Sequence, residues 1–314
     1  MIAALPLDRD QSATSRLPRI RHNLLRRLMR AAPFQPATNL WRAVEIAELA
    51  QALSSTGSAL DLGCGDGELT IILRDLVGAQ WRLVGVDPDR SEAAAALATG
   101  AYQSVHAADA ASVAEHDQSF DLVFANSVLE HIPNLSKCLR EAARLLKPGG
   151  LLAATVPSPH FHRLLRGPGR FSRRSRAEYL AEIDRRLAHV NYWSAEQWCD
   201  ELTSAGFEPP TFHGYLSRRQ LQRWEAWSHW TGGLLYRLRR GRHQPIAIQR
   251  SLGLRRRAPV GFGGLASLIA WFMSYGVLDD NVAICEDAAC WLVLARKNIL
   301  VRSPKEQPIA ERMP

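Results

Sequence analysis

The chain has 314 residues, of which 46% are hydrophobic and 22% charged. That composition excludes an intrinsically disordered protein and leaves room for one large domain, or for one domain carrying a sizeable insertion. The formal net charge of +8 is unevenly spread: residues 43–162 sum to −8, whereas residues 1–42, 163–186 and 213–257 sum to +6, +5 and +10.

A basic periphery around an acidic core favours anionic partners such as phosphate, nucleic acid or an anionic membrane surface. The five cysteines, at positions 64, 138, 199, 285 and 290, are odd in number and include no CxxC pair. They exclude a disulfide scaffold and argue against structural zinc. No clean apolar run follows the basic N-terminal stretch, so no secretory signal is read and a cytoplasmic location is expected.

Residues 19–31 read as a short basic amphipathic helix, broken by Pro33 and Pro36. Leu40, Val44, Ala47 and Leu49 then fall at helical spacing and predict a second helix over 39–54. From residue 57 onward strand and helix signals alternate. Strands are expected at 58–62, 81–86, 102–107, 120–125 and 151–156, with helices at 68–77, 90–98 and 135–146. A further helix at 194–205, capped by Gly206, leads to a strand near 207–213, and 290–297 reads as the last strand. Short apolar runs separated by helices predict an α/β fold: a doubly wound, Rossmann-like, mostly parallel seven-stranded sheet with helices on both faces. The expected division is N-terminal helices over 1–56 and a core over 57–215, with an Arg-rich insertion at 158–190. A helical lid over 216–289, the last core strand at 290–300 and a flexible tail at 301–314 complete it.

The segment LDLGCGDGELT, residues 60–70, carries the chemistry. An apolar strand runs into Asp61, then Gly63, Gly65 and Gly67, then a helix. In a doubly wound sheet such a turn lies where ligands bind, and glycine lets a ligand approach the backbone. A P-loop would need GxxxxGK[ST], which is absent, and a dinucleotide fingerprint would need Gly at position 68, where Glu stands. An aspartate two residues before the first glycine would repel a pyrophosphate and suit a cationic ligand.

With its companion segments this turn resembles the class I methyltransferases that use S-adenosylmethionine, in particular their small-molecule branch. Val84–Asp87 (VGVD), Ala108–Ala110 (ADA), Phe120–His131 (FDLVFANSVLEH) and Leu145–Leu152 (LLKPGGLL) follow in the order of that family's landmarks. The resemblance implies S-adenosylmethionine as cofactor. Asp61, Gly63, Cys64 and Gly65 would lie at its methionine end, Asp87 on the ribose hydroxyls, Asp109 and Ala110 at the adenine, and Asn126 beneath the methionine part. Pro88 either packs on the adenine or stiffens the turn.

Methyl transfer from a sulfonium needs mainly orientation and exclusion of water, with a base only where the acceptor must lose a proton. Two histidines are candidates, His131 after the fourth strand and His189 before the helix at Ser194. Either could instead be structural. Some small-RNA and quinone methyltransferases resembling this fold hold Mg²⁺ on a Glu-x-x-Glu-His run. Here Ser127 stands in place of the first carboxylate, so no metal is expected. The turn Asn126–Leu129 lacks the prolines and aromatic platform of exocyclic-amine methylation, and no cysteine follows a proline as cytosine C5 chemistry requires. Nucleic acid therefore ranks below a small or lipid-linked acceptor, methylated on oxygen or carbon. An RNA methyltransferase or a non-catalytic S-adenosylmethionine-binding protein is the alternative. In the insertion, residues 217–240 read as an amphipathic helix bent at Gly232–Gly233, and residues 258–278 carry no charge. The insertion is either a plain lid or a lid that also meets an anionic membrane surface.

Overall fold

Residues 11–169, 172–231, 263–282 and 284–299 are described by the computed structural model. Strand β1 (Thr56–Leu62) is buried over its last five residues, and its neighbours are as apolar. It pairs in parallel with β2 (Gln80–Val86) on one side and β4 (Phe120–Asn126) on the other. β3 (Ser104–His106) extends the sheet beyond β2, and β5 (Leu146–Pro157) beyond β4. β7 (Ala288–Arg296) inserts antiparallel between β5 and the edge strand β6 (Thr211–Ser217), giving the order β3-β2-β1-β4-β5-β7-β6. The chain winds outward from β1 to β3 and then returns to start β4 on the other side of β1. That reversal opens a crevice above the carboxyl ends of β1 and β4, where ligands of open α/β sheets bind.

Successive strand residues feed opposite layers, as the two-residue period requires. Phe124 packs with α1 (Gln11–Ala31), α2 (Pro36–Ala52) and α3 (Glu68–Val77), through Leu28, Leu40, Ile46 and Ile72. Val123 and Ala125 face the opposite layer with Leu139 of α5 (Leu135–Leu145) and Trp198 and Leu202 of α8 (Ala195–Ser204). α4 (Arg90–Ala98) links β2 to β3 and is capped by the Asp89 carboxylate.

Several expectations shift. β6 begins at Thr211 and not at 207, because Pro209 and Pro210 have no N–H to give a ladder; Phe207 keeps one isolated bridge, to Lys297. β3 is shorter than expected because Tyr102 turns into the core. β5 starts five residues early, directly after α5, with a register shift between Phe120 and Leu122. The Arg-rich stretch after β5 forms α6 (Phe161–Leu164) and α7 (Arg176–Leu187), the latter opened by a Ser175–Glu178 capping box. Of the long insertion, α9 (Arg218–Trp230) packs on α2, and α10 (Gly263–Ser274) packs along α1. The expected bend at Gly232–Gly233 and the tail at 301–314 lie outside the described residues. Among the described residues no helix is long and apolar enough to cross a membrane.

Arg21 pins the insertion to the core. Its guanidinium, buried on α1, donates to the carbonyls of Leu278 and Asp280, to Asn281 Oδ1 and to Glu48 at 2.6 Å. Replacing Arg21 by Met should cost about 3–5 kcal/mol, because it removes one partner of a buried ion pair and its hydrogen bonds to the insertion. Equilibrium denaturation of both proteins measures this directly.

Candidate active site

The glycine-rich turn is shaped by what lies on both sides of it. Gly63 has φ +79°, and a Cβ there would sit 2.4 Å from Val128 Cγ2, so only glycine fits between the turn and the segment after β4. The N–H groups of Gly63 and Cys64 both donate to the Val86 carbonyl, tying the turn to the end of β2. Gly67 at φ +78° opens α3. Asp87, immediately after β2, accepts from the Gly65 N–H at 2.9 Å through Oδ2 and from the Asp89 N–H at 2.9 Å through Oδ1. Each oxygen keeps a second lone pair for a ligand.

Asp61 serves the fold more directly than the sequence suggests. It is buried, and its Oδ2 accepts the hydroxyls of Thr70 at 2.5 Å and Tyr102 at 2.6 Å. Burial nevertheless pushes its carboxyl up to about 6. The residue braces the turn from below. Cys64 is buried against Gly85, and burial pushes its thiol far up, so it is no nucleophile. The loop after β3 runs beside Asp87, with the Ala108 N–H donating to the Asp87 carbonyl. Asp109 is exposed there and accepts from the Ala111 N–H; Ala110 is half-buried and Pro88 exposed. Asn126 Oδ1 accepts from Arg42 at 3.2 Å. The expected cofactor residues thus collect at the carboxyl ends of β1, β2, β3 and β4.

A cavity of about 540 Å³ lies beside this turn, touching Asp66 but not Gly63, Gly65 or Asp87. It is lined by Asp66, Glu68 and Leu69, by Trp41 and Arg42 of α2, by Trp224 and Ser228 of α9, and by the polar groups of Ser127, Glu130, His131 and His189. The two candidate histidines are neighbours, with ring centroids 5.4 Å apart. His131 Nδ1 lies 2.9 Å from the Ala188 carbonyl, which can only accept. The proton therefore sits on Nδ1, and Nε2 carries a bare lone pair. His189 has the same form for a different reason. The Tyr192 hydroxyl donates to Asp184 at 2.6 Å and so accepts from His189 Nδ1 at 3.1 Å, leaving Nε2 bare.

Both Nε2 atoms lie near Glu130 Oε1, at 4.0 and 3.9 Å. Burial, reinforced by the charge of Glu45, pushes the Glu130 carboxyl up to about 8. Burial lowers both histidines, His189 to about 3. Burial thus disfavours charge on all three groups. The three ligand atoms also lie within 4.8 Å of one another, so among the described residues Glu130, His131 and His189 are a group that could hold a metal ion.

One contributor escaped the sequence reading. Glu45, fully buried on α2, pairs with Arg42 and accepts the hydroxyls of Ser127, Thr155 and Tyr215. It thereby locks α2 onto β5, β6 and the turn after β4. The available signal was two acids, Glu45 and Glu48, inside an otherwise apolar helix.

A family model described as a methyltransferase domain matches residues 23–210, more than half of the chain. The chain belongs to this methyltransferase family. Its relatives include the arsenite methyltransferase of Aquipseudomonas alcaligenes, 36% identical over 116 residues, which is 33% of this chain and 34% of that protein. Another is the 2-phytyl-1,4-naphtoquinone methyltransferase of Thermosynechococcus vestitus, 37% identical over 124 residues, 37% of this chain and 52% of that protein. The chain spans about a third to a half of the length of these curated relatives. Among solved structures, an S-adenosylmethionine dependent methyltransferase from Mesorhizobium loti is 17% identical with a TM-score of 0.45, covering 80% of this chain and 96% of that one. The residues present fit S-adenosylmethionine: a carboxylate with lone pairs to spare ends β2, and a backbone turn kept free of side chains faces it.

Proposed function

We propose that the chain transfers a methyl group from S-adenosylmethionine to an oxygen or carbon of a small or lipid-linked acceptor. One observation carries this reading. One cavity is bounded both by Asp66 of the glycine-rich turn and by two imidazoles whose Nε2 atoms lie 4.0 and 3.9 Å from Glu130 Oε1. When bound, S-adenosylmethionine supplies an electrophilic methyl group on a sulfonium. Asp87 would hold the ribose, the Asp109–Ala110 loop the adenine, and the turn at Gly63–Gly65 with Asn126 the methionine end. His131 Nε2, on the more exposed ring, takes the proton of an acceptor hydroxyl, while His189 and Glu130 complete a polar pocket. Trp41, Leu69, Leu187 and Trp224 line the cavity with apolar surface that excludes water and positions the acceptor. Its volume suits a small molecule or the head of a longer one. α9 contributes Trp224, Ser228 and Thr231, which supports reading residues 216–289 as a lid.

The test is mass spectrometry of the freshly purified protein, followed by calorimetric titration with S-adenosylhomocysteine. A co-purifying or tightly titrating adenosyl ligand supports the reading. If no ligand co-purifies and none titrates, the methyl-transfer reading fails.

A further inference from the structure

The lid carries an outward-facing aromatic surface that the methyl-transfer site does not use. On α10, Leu268, Trp271 and Phe272, with Tyr275 just beyond its end, follow the i, i+3, i+4, i+7 spacing of one helical face. That face points outward: Trp271 is 61%, Phe272 60% and Tyr275 69% exposed. The opposite face, with Ala270 and Met273, is buried. The surface continues onto α9, where Trp227 packs edge-on against Phe272 at 6.4 Å and Trp230 is exposed. Trp230 directly precedes Thr231, which lines the acceptor cavity. Scattered exposed apolar residues need no explanation, but a contiguous aromatic face of this kind marks a contact site.

What lies beside it decides the partner. α10 packs along α1, and His22 of α1 reaches Asp279 at 3.2 Å. On the exposed side of α1, Arg19, Arg26 and Arg30 form one stripe, and Asn23, Arg26, Arg27 and Arg30 line a shallow groove. An aromatic stripe therefore runs beside an arginine stripe. Trp and Tyr settle at the level of lipid headgroups, and arginine donates to phosphate in paired hydrogen bonds.

We propose that the α1–α10 face docks on the surface of an anionic phospholipid bilayer, so that the acceptor enters the cavity from the membrane beside α9. The entry of an acceptor rests on the methyl-transfer reading; the docking itself does not. A second copy of the chain docked on this face would bring arginine stripes together, which disfavours that occupant.

The test is flotation of the full chain with vesicles of mixed phosphatidylglycerol and phosphatidylcholine, and with vesicles of phosphatidylcholine alone, at low salt. The intact chain should float with the anionic vesicles. Arg19→Ala, Arg26→Ala and Arg30→Ala together should weaken partitioning by about a hundredfold, at roughly fivefold for each basic residue. Added salt should weaken the intact chain in the same direction, because it screens surface charge. Trp271→Ser, Phe272→Ser and Tyr275→Ser together should remove the salt-resistant remainder. All six positions are exposed, and near-ultraviolet circular dichroism verifies the fold of each variant.

The proposal is overturned if the intact chain stays in solution with both vesicles, or if the aromatic variant partitions like the intact chain. It also falls if sedimentation shows the aromatic residues holding a dimer with no lipid bound. Titration of the same preparation with S-adenosylhomocysteine keeps the two readings apart. Binding without flotation defeats the membrane inference alone, and flotation without binding defeats the methyl-transfer reading alone.

Discussion

Replacing His131 by Ala should lower the methyl-transfer rate by about 10²–10⁴-fold, the usual contribution of a positioned general base. Affinity for S-adenosylhomocysteine should stay at the level of the intact chain, because on the proposed reading His131 meets the acceptor and not the cofactor. The tautomer makes the expectation specific. With Nδ1–H held by the Ala188 carbonyl, the free lone pair is on Nε2, where an acceptor hydroxyl can reach it. His131→Asn tests that point. Its amide nitrogen, bonded to Cγ like Nδ1, can replace the Nδ1–H donor, but its oxygen is too weakly basic to take a proton, so it should be as slow as His131→Ala.

His189 is buried, with a side chain only 5% exposed, and burial depresses its basicity further than that of His131. His189→Ala should therefore act mainly by loosening the Tyr192–Asp184 network, raising KM for the acceptor more than it lowers kcat. Rates are to be measured with and without a chelator. A base mechanism predicts no effect of chelation in the intact chain. Loss of activity on chelation, restored by a divalent cation, would overturn the base assignment and make Glu130, His131 and His189 a cation site. Equal rates for His131→Ala and the intact chain would leave orientation as the whole of the catalytic contribution.

The sheet was readable because its strands are buried on both faces. Val123–Ala125 or Leu292–Leu294 has no polar position that could face water, so each appears as an apolar run between helices. The glycine turn was readable because its requirement is local: Gly63 must hold φ +79° within a few residues of β1. What the sequence concealed depends on distant contacts. His131 and Ala188, 57 residues apart, meet through a turn in which Ala188 itself adopts φ +59°. Nothing in residue type announces that meeting. Glu45 could not be read from its own segment because its partners Ser127, Thr155 and Tyr215 come from three other segments. α7 was hidden by its arginines, although Ser175 and Glu178 stood at capping-box spacing. The displaced start of β6 was the opposite case, since Pro209 and Pro210 state it outright.

Replacing Asp87 by Ala should weaken S-adenosylhomocysteine binding by about 1.5–3 kcal/mol, roughly ten- to a hundredfold, as expected for charge-assisted hydrogen bonds to a carboxylate. Two effects contribute. The carboxylate would hold both ribose hydroxyls, and it also organises the turn by accepting the Gly65 and Asp89 N–H groups. A double-mutant comparison separates them. An S-adenosylhomocysteine analogue lacking both ribose hydroxyls should bind the intact chain and Asp87→Ala with nearly equal affinity if the ribose contact dominates. If Asp87→Ala weakens the analogue as much as the parent ligand, the ribose is held elsewhere and Asp87 acts only through the turn. Asp87→Asn sharpens the same distinction. It keeps one acceptor oxygen but presents an NH₂ to a backbone N–H, so one of the two turn contacts becomes a clash of donors. This variant should therefore lose unfolding stability in the absence of ligand, and lose affinity for the deoxygenated analogue as well.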